Sequence, residues 1–84
     1  MRVRVPEYLR ITKLDDQLVI LDGRKNQYFA VNASGSAFIQ FLQNGYSVNE
    51  AIHKLEARYP LGTVRKDMEQ FLKELISQGL VEET

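Results

Sequence analysis

Residues 22–35, DGRKNQYFAVNASG, carry a turn, a strand and a helix start with no spacer between them. Asp22–Asn26 combines Gly and Asn, the residues that tolerate positive φ, and predicts a hairpin loop. Gln27–Asn32 predicts a strand, because aromatic and β-branched side chains suit a half-buried pleated surface. Period 2 sets Phe29 and Val31 on one face and Tyr28 and Ala30 on the other. The first pair is assigned to the side facing the helices, since the strand must bury one face. Asn32 doubles as a helix N-cap. Upstream, Gln17–Asp22 (QLVILD) is an apolar run of strand length, and Leu9–Leu14 with Ile11 and Thr12 predicts a strand before it. Asp15-Asp16 between them is of turn type. Connections this short favour an antiparallel meander whose first and third strands are edges. The third strand therefore keeps one edge without a partner.

After Asn32 the apolar period changes to 3.6. Ala37, Phe38, Phe41 and Leu42 form a helical stripe that ends before Asn44-Gly45. Ser47-Val-Asn-Glu50 is a capping box, and the helix behind it sets Val48, Ile52, Leu55 and Tyr59 on one face and stops at Pro60. Gly62-Thr63 opens a third helix with apolar Val64, Met68, Phe71, Leu72, Leu75 and Ile76; Gly79 and Leu80 mark its end. The predicted class is α+β: a three-stranded antiparallel meander followed by three helices, winged helix-turn-helix-like. One domain is expected over residues 1–84, with its core at about 9–82 and a loose or weakly paired arm at 1–8.

With 84 residues the chain lies near the small end of what buries a sufficient core. No apolar stretch is long enough to span a membrane, and MRVRVPEYLR has no apolar signal region. The absence of cysteine excludes a disulfide framework and a thiolate nucleophile or zinc site. A cytoplasmic protein without a membrane partner is expected. Eleven basic and eleven acidic side chains cancel, with a slight excess of +2 over residues 1–25 and −2 over the rest. That is too little positive charge for strong contact with phosphates, so no nucleic-acid partner is expected.

Nothing here composes a catalytic constellation. His53 is the only histidine, lies off the apolar face of its helix and has no companion ligands. Ser34-Gly35-Ser36 lacks the spacing and lysine of a phosphate loop, and better suits a small-residue first turn that lets helix and strand approach closely. Gly23–Lys25 reads as a solvated hairpin tip in preference to a DNA-binding wing. A winged-helix regulator would use the third helix, but Arg65, Lys66 and Lys73 are offset there by Asp67, Glu69 and Glu74.

The apolar stripe of that third helix spans an arc of roughly 140°, against the ~100° that faces a single core. One margin, Val64 and Phe71 beside Asp67, is assigned to an open groove. The opposite margin, at Ile76, is assigned to the core. A sheet edge beside a groove accepts an extended peptide, with backbone pairing for affinity and side chains in the groove for choice.

The succession LVILDGRKNQYFAVNASGSAFIQFLQNGYSVNEAIHKL and then VRKDMEQFLKELISQGLV resembles the PqqD-like proteins, the recognition elements for ribosomally made, post-translationally modified peptides. The matches are Tyr28-Phe29, Asn32, Gly35, Gly45-Tyr46-Ser47, Asp67-Met68 and Leu75 through Val81. Val31 stands where Leu is usual, and Ala33 where Pro often stands. Length and the Asp-Met pair look most like the free-standing leader-binding proteins of lasso-peptide pathways. The resemblance implies a binder without catalytic residue, metal or cofactor, whose ligand is the leader segment of a precursor peptide. That leader adds as a strand along Gln27, Tyr28, Phe29, Ala30, Val31 and Asn32. It lies in a cleft against Val64, Asp67, Met68, Phe71, Leu72 and Leu75. A leader peptidase and a macrolactam-forming cyclase are the implied further partners. Another modified-peptide pathway, including the one that makes the cofactor PQQ, is the alternative within the family; a DNA-binding regulator and a plain interaction domain with no leader ligand are those outside it.

Overall fold

The computed structural model describes residues 2–15, 17–60 and 62–84; Asp16 of the expected turn lies outside the described residues. Among the described residues the elements are, in order, β1 (Val3–Arg4), β2 (Leu9–Leu14), β3 (Gln17–Asp22), β4 (Gln27–Val31), α1 (Ala33–Gln43), α2 (Val48–Arg58), α3 (Val64–Ser77) and β5 (Glu82–Glu83). Strands β2, β3 and β4 form the expected antiparallel meander, in register through Ile11, Ile20 and Phe29. The face carrying Leu18, Ile20, Phe29 and Val31 turns to the helices, while Tyr28 is 71% exposed on the other. Both faces of β4 thus follow the alternation of its sequence.

The strand stops at Val31, one residue before the expected limit. Asn32 takes the extended conformation of an N-cap, and its side-chain oxygen accepts the Gly35 N–H at 2.9 Å. Gly35 and Ser36 explain how a strand and a helix join without a spacer. A Cβ on Gly35 would lie 2.8 Å from Val31 Cγ1 and 3.0 Å from the Phe71 ring, so any side chain would push β4, α1 and α3 apart. Ser36, buried, accepts the Leu18 N–H at 2.9 Å and donates to the Val31 carbonyl at 3.1 Å. Its hydroxyl bridges the last rung of the β3–β4 ladder and satisfies two buried main-chain groups.

The helices bury most of the stripes that the period predicts, with Phe38, Ala51 and Leu55 wholly inaccessible and Phe41, Tyr59, Phe71 and Ile76 half-buried. The Ser47–Glu50 capping box forms in both directions, at 3.2 and 3.0 Å. At the far end of α3, Gly79 adopts φ +74°; its N–H reaches the Ile76 carbonyl and the Leu80 N–H reaches that of Leu75. This paired closure satisfies carbonyls that an abrupt helix end would strand.

The arm is weakly paired, one of its two expected states: β1 pairs antiparallel with β5 over two residues, Val3 opposite Glu83 and Arg4 opposite Glu82, and Arg4 forms an ion pair with Glu82. One expectation needs correction: Ile76 does not belong to the buried core. It is half-buried and borders, with Val48, Ile52 and Leu72, a hollow of about 520 Å³ between α2 and α3. The stripe is wide because α2 covers that margin incompletely. Among the described residues no helix is long and apolar enough to cross a membrane.

Candidate functional site

Among the described residues, strand β4 is hydrogen-bonded to β3 alone, so its other edge is open. The Ser36 bridge fixes which groups point there. Because Val31 turns its carbonyl toward β3, the antiparallel alternation directs the main-chain groups of Gln27, Phe29 and Val31 inward. Tyr28 and Ala30 therefore present their N–H and C=O groups to the open edge.

Beside that edge runs a cleft between β4 and α3, built from three adjoining hollows. The first, about 270 Å³, lies among Phe29, Ala30, Val31, Phe71, Leu75 and Leu80, with Glu74 and Gln78 at its rim. It shares Ala30, Val31 and Phe71 with the second, about 360 Å³, which reaches Asn32, Ser34, Gly35, Asp67 and Met68. The third, about 350 Å³, continues from Asn32, Ser34, Asp67 and Met68 to Val64, Leu55 and Tyr59. Phe71 forms the floor at the middle. Half-buried, its ring meets that of Phe38 at 6.2 Å and 54°, a tilted arrangement favoured by the ring quadrupoles.

Nine of the expected site residues thus meet in one place: Phe29, Ala30, Val31, Asn32, Val64, Asp67, Met68, Phe71 and Leu75. Gln27 and Tyr28 lie on the edge without lining the hollows. Leu72 is buried on the other side of α3, beside Ile76, and does not face the cleft. The sequence reading did not include Ser34 and Gly35 at the start of α1, Leu55 and Tyr59 on α2 and its end, or Glu74, Gln78 and Leu80 at the end of α3. Gly35 carried a signal in its small first turn, and Leu80 in the helix-end motif; Glu74 and Gln78 carried none, being polar positions on an amphipathic helix.

The charged side chains lining the cleft are both carboxylates, Asp67 and Glu74. On the neighbouring face of α3, Arg65 is engaged by Asn49 at 3.1 Å and Glu56 at 3.0 Å. His53 is exposed, and among the described residues no group of His, Cys, Asp or Glu has the arrangement of a metal site.

The hairpin tip Gly23–Lys25 is exposed as expected, but Arg24 is held in place there. Asp22 is wholly buried at the end of β3, and Arg24 folds back onto its carboxylate at 3.0 Å. The Arg24 side-chain hydrogen bond holds the Asp22 carboxyl below the ordinary carboxylate range, against the opposing effect of burial. A carboxylate so depressed stabilises the fold above about pH 4, and that contribution fades as pH falls through its native value. Thermal melts should therefore show the wild type losing stability more steeply than Asp22→Asn between about pH 5 and pH 2. Parallel curves would mean that the pair does not stabilise the fold.

The chain matches the PqqD family, coenzyme PQQ synthesis protein D, over residues 17–81. Its backbone is similar to that of TbiB1 solved in complex with the TbiA(beta) leader peptide: the TM-score is 0.89 at 26% identity, covering 96% of each chain. It is also similar to a lasso peptide synthetase B1 complexed with the leader peptide, with a TM-score of 0.87 at 21% identity over 99% of this chain and 100% of that one; this second likeness is one of fold. No curated protein matches it in sequence.

Proposed function

This chain belongs to the PqqD family, and from that premise we propose that it binds the leader segment of a ribosomally made precursor peptide in lasso-peptide biosynthesis. The leader adds as a strand to the open edge of β4 and sets alternate side chains into the cleft against α3. The observation that carries this is the coincidence of a sheet edge, with Tyr28 and Ala30 groups directed outward, and an apolar cleft alongside it. The similarity to TbiB1, whose structure holds a leader peptide, supports it.

Main-chain pairing is largely indifferent to peptide sequence, so it provides hold more than choice. Choice comes from the hollows on either side of Phe71 and from the two carboxylates, which favour a peptide with apolar anchors and positive charge rather than negative. An unbound leader loses conformational entropy on docking, and a few anchors must outweigh it; sub-micromolar to micromolar affinity is the expected range. The chain does no chemistry itself. Acting in the cytoplasm, it presents the precursor to a leader peptidase and a macrolactam-forming cyclase.

Titration calorimetry with the leader of the precursor encoded beside its gene should give saturable one-to-one binding, and the precursor should keep its mass when incubated with this chain alone. Absence of saturable binding contradicts the proposal. Phe71→Ala should weaken that binding by about 2 kcal/mol, roughly 30-fold, as aromatic anchors commonly do. Because Phe71 is only half-buried, the loss in melting temperature should be modest. Ile76→Ala, on the other side of α3, should leave the affinity within a few-fold. Equal losses from the two variants would mean that the cleft is not the site.

A further inference from the structure

The cleft has two walls, and one residue outside it joins them. Arg24 lies in the β3–β4 loop, yet its guanidinium touches three separate parts of the chain. Its Nη2 donates to Asp22 Oδ2 at 3.0 Å, its Nε to Oδ1 at 3.3 Å and its main-chain N–H to the same Oδ1 at 2.9 Å. Its flat face lies over the Tyr8 ring, 4.0 Å from the centroid. Its Nη2 also lies 3.5 Å from the Gly79 carbonyl, to which the Tyr8 hydroxyl donates at 2.7 Å. Gly79 closes α3, between the cleft residues Gln78 and Leu80; the Arg24 loop leads directly into β4.

We propose that Arg24 is a positioning residue: seated on Asp22 and Tyr8, it fixes the separation of β4 from the end of α3 and so sets what the cleft admits. This rests on the peptide-binding reading for its consequence, though not for its geometry. Three features favour it. Asp22 is wholly buried, so its carboxylate anchors the guanidinium at the sheet. The last turn of α3 has no basic residue of its own, and Arg24 supplies the positive charge that a helix C-terminus favours. A Cβ on Gly79 would stand 2.6 Å from Arg24 Nη2, so that glycine leaves room for the contact. The geometry also calls for arginine in particular. Only a planar fork can pair with a carboxylate along one edge while stacking on a ring; the point charge of lysine cannot.

The chain has no cysteine, so two spin labels can be placed cleanly at Gln27→Cys on β4 and Ser77→Cys on α3. The distance between them should be single and narrow in the otherwise wild-type chain. Arg24→Gln should shift it to longer, broader values at a temperature where circular dichroism reports a folded domain. Arg24→Lys, which keeps the charge, should not restore the narrow distance. Ile52→Val, a core change away from the clamp, lowers stability as well but should leave the distance unchanged. If the wild-type separation is then populated about a tenth of the time, a labelled TbiA(beta) leader peptide should bind Arg24→Gln roughly tenfold more weakly. An unchanged distance in Arg24→Gln, full rescue by lysine, or equal broadening in Ile52→Val overturns the proposal. A wild type that takes up no leader while the distances still shift counts against the peptide-binding reading and supports the clamp.

Discussion

Ala30→Pro should remove most leader binding while moving the melting temperature by only a few degrees. The Ala30 N–H points to the open edge, so proline there removes a donor that the β3–β4 ladder does not use. An incoming strand loses that bond and meets the pyrrolidine ring instead. A lost hydrogen bond and an unpaired peptide carbonyl together cost about 2–4 kcal/mol, or roughly 30-fold or more in affinity. Phe29→Pro is the internal comparison, one residue away. Its N–H faces β3 and its side chain packs on the core, so this variant should not fold. Calorimetry with the leader and a thermal melt on each variant give the two readouts. Intact binding by Ala30→Pro would place the peptide elsewhere.

The second large effect is on the fold. Phe38 is wholly inaccessible, with the cleft floor at Phe71 resting against it. Truncating a buried phenylalanine to alanine costs about 3–5 kcal/mol, part transfer and part cavity. Small domains hold only about 5–15 kcal/mol in total. Phe38→Ala should thus lower the melting temperature by at least ~12 °C, at about 4–8 °C per kcal/mol for this size. Phe71→Ala, one ring nearer the solvent, should do little to the melt and much to the binding. The contrast between adjacent rings separates support from contact, and a reversed order would mean that Phe71 is the core residue of the pair.

What the sequence disclosed was what local chemistry decides. Tyr28, Phe29, Ala30 and Val31 declared their faces because a strand alternates. Asn32, Ser47 and Gly79 declared helix ends because they satisfy main-chain groups within a few residues. What stayed unread lies where the partner is remote. Val3 and Arg4 pair with residues at the opposite end of the chain, and two short charged segments carry no sign of each other. Arg24 is exposed as its polar loop suggests, but its contacts were not legible; the hint was Asp22, a carboxylate on the inward face of an apolar strand. The helical projection placed Leu72 and Ile76 at the correct angle, but angle alone does not say which neighbour covers a margin. Here α2 leaves Ile76 half open, and Leu72 turns away from β4.

Strand addition has one signature that no other mode of binding reproduces. In amide hydrogen exchange followed by NMR, the Gln27, Phe29 and Val31 N–H groups should be protected in the free chain, because they face β3. Those of Tyr28 and Ala30 should exchange freely. Saturation with the leader should slow Tyr28 and Ala30 strongly and leave the other three nearly as they were. Free exchange at Tyr28 and Ala30 in the saturated complex would show that the peptide does not pair with β4.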